Sequence, residues 1–303
     1  MISKNLPPWN TTPKMVKSLR QKLKNIDKKV LVGGGTEAWF AELNRNRPPI
    51  DLVDFIFWSV TPQVHALDSS SLIENLAAQK VVVDSAFQFA KNIPLVVGPI
   101  TLKMRFNPNA TSPQKQNQPK ELPPPHTDPR QWGLFAAVWT LISIKYLSKG
   151  RAFSGTYYEL VGPRGIIYRK APFEQPGFDG KQKRIFYPVF QVFKELCPKQ
   201  GAKLYEATSD SPLSVDAIAL ESGQGLMLYV ANLVSEDQRI EIRNVSGENS
   251  FGEIRLSLFS EEDWDEIISN LDYSFRLVER TSLQRESFEA LLPPYSICKV
   301  EFG

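Results

Sequence analysis

In the first two hundred residues, short runs that are apolar on both faces alternate with stretches whose apolar residues recur every three or four positions. Strands of that kind are covered by helices on their sheet faces, so the alternation predicts parallel βα units. Val30-Leu31-Val32, ended by three glycines, reads as the first strand, and residues 55–60 (FIFWSV) as the second. Leu95-Val96-Val97 reads as the third and Thr156-Tyr157-Tyr158 as the fourth. A first helix opens at Thr12-Pro13 and repeats Val16, Leu19, Leu23 and Ile26. A second starts near Ser71, where Ser71 and Glu74 have capping-box spacing, and buries Leu72, Leu76, Val83 and Phe87. Two more are expected over 128–146 and 186–196. Four βα units are half of what a (β/α)8 barrel uses, so residues 1–200 are expected to form half of a TIM barrel.

The period changes to two near residue 202. Residues 215–220, 226–233, 240–243, 254–259 and 296–302 read as short strands separated by Gly, Ser, Asn and Asp, with a helical insertion over 260–270. In the last strand Cys298, Val300 and Phe302 share one face and Lys299 and Glu301 the other, which makes Cys298 a core thiol. The expected class is thus α/β followed by all-β, with a C-terminal β-sandwich domain over 201–303.

Charge divides at the same place. Residues 1–200 carry 28 Lys and Arg against 14 Asp and Glu, a balance of +14, while residues 201–303 carry 8 against 19, a balance of −11. The first part has either a positive field that attracts an anion or simply a solvated basic surface. Its cations are spread over helices and loops without an Arg/Lys stripe interleaved with aromatics, so nucleic acid is not an expected partner. The longest apolar run, 134–144, is far short of the ~20 residues of a membrane span, and MISKNLPPWNTTPK has no apolar signal core. With only two cysteines, a reduced cytoplasmic setting and no membrane partner are expected.

Several chemistries lack their motif. Gly33-Gly34-Gly35-Thr36-Glu37-Ala38 does not have the G-x-G-x-x-G spacing, and neither a phosphate-binding P-loop nor a G-x-S-x-G elbow occurs. His65 and His126 are the only histidines, with no H-E-x-x-H, so no cofactor and no metal is implied. What remains is a group of polar residues after each strand, where barrel enzymes carry their sites. The first group has Thr36, Glu37, Glu42, Asn44, Arg45 and Arg47; the second has Thr61, Gln63, His65 and Asp68. The third has Thr101, Lys103, Arg105, Asn107 and Asn109, and the fourth Tyr157, Tyr158, Glu159 and Arg164. Loop anchoring is the other role open to His65, helix-terminus charge to Glu37 and Glu159, loop closure before Pro48-Pro49 to Arg45 and Arg47, and core packing to Trp39, Phe40, Tyr157 and Tyr158. The segment 103–130 holds seven of the 23 prolines, a loop of functional length leaving the third strand.

The runs GGGTEAWFAELNRNRPP, TPQVHALD, GPITLKMRFNPNAT, DPRQ at 128–131 and TYYELVGPRG resemble those of the D-apionate lactonase family. The resemblance implies a glycosidase-like TIM barrel with flanking β domains that opens the lactone of a branched sugar acid, D-apionolactone to D-apionate. That family's N-terminal β domain and first four barrel strands have no counterpart in this chain. It therefore corresponds to the second half of the barrel plus the C-terminal β domain, as a fragment or split gene product, with a second chain or copy expected to complete the barrel. Four strands without neighbours leave two open sheet edges, so the isolated chain is expected to associate.

Lactone hydrolysis needs a base for water, donors for the oxyanion and cations for the new carboxylate. From their shared place after the strands, His65, Glu159 and Glu37 are the expected catalytic set, with His65 or Glu159 as base; Arg105, Lys103 or Asn44 is expected to stabilise the anion, and Glu37 and Tyr158 to bind hydroxyls. Arg45, Gln63, Asn107, Tyr157 and Arg164 complete the substrate-binding set, and the ligand is a small sugar lactone. A TIM-barrel glycoside hydrolase is the competing enzyme; its two carboxylates would sit after strands four and seven, and the seventh here ends in GPITLK. A non-catalytic carbohydrate-binding fragment is the third possibility.

Overall fold

A computed structural model describes residues 10–23, 26, 29–105, 107, 119–120, 122–178, 181, 185–243, 253–282 and 287–302. Asn109 and much of the proline-rich 103–130 loop lie outside the described residues. Contacts divide the chain into two compact units, one of Met1–Asn117 with Tyr146–Tyr158, the other of Gln118–Lys145 with Glu159–Gly303.

The first unit contains α1 (Pro13–Leu23), β1 (Gly33–Gly35), α2 (Phe40–Arg45), β2 (Phe55–Val60), α3 (Ser69–Glu74), α4 (Leu76–Ala90), β3 (Leu95–Ile100), the last turn of α5 (Leu134–Lys149) and β4 (Ser154–Tyr157). Its four strands form a sheet in the order β1-β2-β3-β4, every pair parallel. Ile56, Trp58, Leu95 and Val97 are buried on one face, as are Leu72, Leu76, Val83 and Ala86 of α3 and α4. Phe55, Phe57 and Val96, on the other face, are half-buried.

The first strand is displaced from its expected position. Val30 and Leu31 are exposed, and the ladder runs on Gly33, Gly34 and Gly35, which pair with Phe55, Ile56 and Phe57. A Cβ at Gly33 would lie 2.2 Å from the Phe55 ring, and one at Gly35 would lie 1.9 Å from the Phe57 carbonyl oxygen. The glycines that look like a terminator are what let β1 approach β2 closely. The second helix also starts earlier than expected: Asp68, not Ser71, caps it, accepting from the Ser71 amide at 2.9 Å and the Ser71 hydroxyl at 2.8 Å. The fourth strand stops at Tyr157 because Tyr158 takes a left-handed φ of 53°, its amide donating to the Ile100 carbonyl at 3.0 Å.

The second unit contains β5 (Glu159–Val161), β6 (Gly165–Ile167), α6 (Pro188–Leu196), β7 (Lys203–Tyr205), β8 (Val215–Ser222), β9 (Gly225–Asn232), β10 (Gln238–Arg243), β11 (Glu253–Phe259), α7 (Trp264–Ser269), β12 (Arg276–Ser282), β13 (Ser287–Leu292) and β14 (Ile297–Phe302). Six strands form an antiparallel sheet in the order β12-β11-β14-β9-β8-β7. The antiparallel pair β10–β13 packs Ile240, Ile242, Phe288 and Ala290 against its core of Val215, Val230, Ile254, Leu256, Cys298 and Val300. Cys298 is 1% exposed, on the apolar face that alternation predicts.

Contacts in this unit cross the expected boundary at residue 200. Glu195 of α6 accepts from the Tyr229 hydroxyl at 2.6 Å and pairs with Lys299 at 3.1 Å, tying the helix to β9 and β14. Lys145 of α5 pairs with Asp216 of β8, both side chains buried. Among the described residues, no helix is long and apolar enough to cross a membrane.

Candidate active site

A shallow concavity opens at the C-terminal ends of β1, β2 and β3 in the first unit. Glu37 and Trp39 reach it from the turn after β1, Ser59, Val60 and Thr61 from the end of β2, and Pro99, Thr101, Met104 and Arg105 from the end of β3 and its loop. The turns are fixed by hydroxyl-to-carbonyl bonds. Ser59 Oγ donates to the Glu37 and Ala38 carbonyls at 2.9 and 2.7 Å, Thr61 Oγ1 to the Leu102 carbonyl at 3.2 Å, and Thr101 Oγ1 to the Lys103 carbonyl at 2.8 Å. Thr36, buried, accepts from the Ala38 amide at 3.1 Å and so shapes the turn that presents Glu37, which is exposed.

Glu37 and Arg105 thus line the same concavity, with Trp39, Ser59, Thr61, Thr101 and Met104 around them. Residues of these types can offer a base and a cation to a ligand. Among the described residues no group of three His, Cys, Asp or Glu is arranged to hold a metal ion.

The other expected site residues are dispersed. Asn44 and Arg45 do not belong to the strand-end face, because α2 carries the chain back alongside the strands. Asn44 Oδ1 accepts from Arg47 Nη2 at 2.9 Å, the Arg47 guanidinium lies 4.4 Å from the Phe89 ring near the end of α4, and Arg45 pairs with Glu42 at 3.4 Å. That end of α4 leads into the start of β3, opposite the strand termini that frame the pocket. Gln63 is buried, Lys103 and Asn107 are half-buried, and His65 is exposed; none of them lines the pocket. Tyr157 and buried Tyr158 stack at a tilt, ring centroids 6.0 Å apart, and do not line it either.

Glu159 and Arg164 belong to the second unit and satisfy each other. Arg164 Nη2 lies 2.9 Å from Glu159 Oε1, and the Glu159 amide donates to the Arg164 carbonyl at 3.0 Å. The ion pair and this backbone bond close the short loop between the two residues.

Residues 3–201 match the family described as the D-apionate lactonase TIM barrel domain. The chain belongs to the D-apionate lactonase family. D-apionate lactonase of Brucella anthropi is 30% identical over 212 residues, covering 70% of this chain and 33% of that protein, so the chain spans about a third of this curated relative. An α-L-arabinofuranosidase of Thermotoga maritima, solved with arabinose, superimposes with a TM-score of 0.59 at 16% identity over 95% of this chain and 60% of its own. A Paenibacillus polymyxa xyloglucanase of glycoside hydrolase family 44 gives 0.57 at 11% identity over 96% and 60%. At such identities the likeness shows the fold, a glycosidase-like TIM barrel followed by an antiparallel β sheet.

In this D-apionate lactonase family member, Glu37 and Arg105 are the expected site residues that line the concavity; Ser59, Thr61, Thr101, Trp39 and Met104 line it beside them. Ser59 had a signal, being the one hydroxyl in the otherwise apolar run FIFWSV. Thr61 and Thr101 follow directly on β2 and β3, where the pleat still directs a side chain. Met104 carried no sign that separates it from a core residue.

Proposed function

We propose that the pocket binds a sugar-acid lactone and that Glu37 and Arg105 supply the protein's part of its hydrolysis. The observation that carries this is their presence in one concavity at the strand ends of a D-apionate lactonase family barrel. Water attacks the lactone carbonyl while Glu37 takes its proton; Arg105 stabilises the tetrahedral oxyanion. The ring C–O bond then breaks, the leaving alkoxide recovers the proton from Glu37, and a hydroxy acid results. Retaining glycoside hydrolysis is the weaker reading, since it requires two carboxyl groups roughly 5–5.5 Å apart, and among the described residues Glu37 is the one carboxylate in this lining.

The same proposal makes the four-stranded sheet half of an eight-stranded barrel, closed by further βα units. Supporting this are the two sheet edges, β1 and β4, the 68% and 73% exposure of Leu31 and Phe153 beside them, and the much greater length of the Brucella protein. The test is lactone hydrolysis followed by pH-stat, for the chain alone and assembled with the remaining βα units of a family member. Glu37→Gln should reduce turnover by about 10²–10⁴-fold, the span of general-base effects. Unchanged lactone hydrolysis in that variant, or release of nitrophenol from aryl glycosides without any lactone hydrolysis, would overturn it.

A further inference from the structure

Two residues ahead of α1 grip the turn that presents Glu37. The Thr36 amide donates to the Phe57 carbonyl at 3.1 Å on the β2 side, so the amide and carbonyl of Gly35 turn to the open edge of the sheet. Thr11 takes both. Its amide donates to the Gly35 carbonyl at 2.9 Å, its hydroxyl donates to the same oxygen at 3.1 Å, and the hydroxyl oxygen accepts from the Gly35 amide at 3.0 Å. Asn10 forms an antiparallel bridge with Thr36, and its side-chain amide donates to the Glu42 carbonyl at 2.8 Å and to the Asn46 carbonyl, at the far end of α2. The segment 35–46 is thus held at both ends by two neighbouring residues. Those residues are themselves fixed by α1. The Thr12 hydroxyl accepts from the Met15 amide at 3.4 Å, Val16 is buried, and Arg20 pairs with Asp54 at 2.9 Å and donates to the Leu52 carbonyl at 3.1 Å.

We infer that Thr11 and Asn10 are positioning residues for Glu37. Neither lines the concavity, so they act through the backbone of the turn. Ser59 holds the Glu37 carbonyl from the β2 side, Thr11 holds Gly35 from the edge, and the turn between them is fixed from two directions. Glu37 is exposed, so its backbone rather than packing sets where the carboxylate starts. A reacting group misplaced by about 1 Å can cost about 10²-fold in rate, which is what the grip on Gly35 prevents. The inference rests on the proposed reading of Glu37 as the base and adds what places it.

Thr11→Val keeps the shape of the side chain and removes the hydroxyl, leaving the Gly35 amide without its acceptor; Thr11→Ser keeps the hydroxyl. Hydrogen exchange of the full chain, followed by mass spectrometry on peptides covering 33–39, reads the grip without turnover. Thr11→Val should exchange about tenfold faster there, the effect of losing one hydrogen bond, while peptides from β3 and α4 stay unchanged and Thr11→Ser matches the parent. Asn10→Ala should act likewise on peptides covering 40–46. Lactone hydrolysis by the chain assembled with the remaining βα units reads the consequence. In Thr11→Val kcat should fall by about 10- to 100-fold with KM nearly constant, and Thr11→Ser should restore it. Unchanged exchange over 33–39, exchange that rises equally throughout the first unit, an unchanged kcat, or a loss that Thr11→Ser does not restore would each overturn the inference. Unchanged hydrolysis in Glu37→Gln would instead overturn the catalytic reading, and the exchange result, which needs no catalysis, would still decide whether Thr11 and Asn10 hold the turn.

Discussion

Lys145 and Asp216 form the most deeply buried ion pair among the described residues, their side chains 6% and 1% exposed. Lys145 Nζ also donates to the Ala207 carbonyl at 3.2 Å, and Asp216 Oδ1 also accepts from the Ala217 amide at 2.9 Å. The second oxygen, Oδ2, has no hydrogen-bond partner among the described residues. Lys145→Met keeps the length of the side chain and removes its charge, so Asp216 is left buried without its cation. Breaking such a pair from one side costs about 3–5 kcal/mol. In a cooperative unit of this size each kcal/mol lowers Tm by about 2–4 °C, so a fall of roughly 6–20 °C is expected. Circular dichroism melts at pH 7 measure it, and adding salt should not close the gap, because buried pairs are poorly screened. The double variant Lys145→Met/Asp216→Leu removes both charges and should return to about the wild-type Tm or above it. A drop of under 2 °C in the single variant, or a double variant no better than the single, would refute the view that this pair fastens α5 to β8.

Two further outcomes follow from titratable groups in the second unit. Burial pushes the Glu195 carboxyl up, but hydrogen bonds from Lys199 and Tyr229 and the charges of Lys299 and Lys199 outweigh it and hold the group below its ordinary value. A carboxyl lowered on folding stabilises above its unfolded pKa of about 4.3 and loses that contribution as pH falls through the folded value. The Tm advantage of the parent over Glu195→Gln should therefore be large at pH 6 and shrink below about pH 4; a gap independent of pH would count against it. Burial also pushes the Cys298 thiol up to about 12, whereas Cys197 is exposed. A thiol reagent at pH 8 should label Cys197 rapidly in the folded chain and Cys298 only after denaturation, and rapid labelling of both would show that the β14 face is open.

What could be read from the sequence is what burial on two faces dictates. FIFWSV and LVVGPI are apolar because helices cover one face and other residues fill the opposite one, and both are strands where expected. β1 was missed because its strand character resides in its neighbour: nothing about three glycines favours a strand until Phe55 and Phe57 are placed beside them. β12 was missed for another reason. It is an edge strand, RLVERTS, whose charges guard an open edge and hide the alternation.

The site obeys the same logic. Thr61 and Thr101 directly follow β2 and β3, keep the direction the pleat gives them and line the pocket, as does Glu37 from the turn after β1. Asn44 and Arg45 look equivalent in a linear reading, but six residues of α2 turn them toward the opposite end of the sheet. The charge imbalance misleads in a related way. Of Arg45, Lys103, Arg105 and Arg164, the cations expected to gather at the mouth, Arg105 alone lines the pocket. Lys14, Lys17 and Lys22 lie exposed on α1, and Arg20 is held by Asp54 at 2.9 Å. The net charge of a stretch of sequence therefore does not say where its cations meet; the turn after β3 decides that for Arg105.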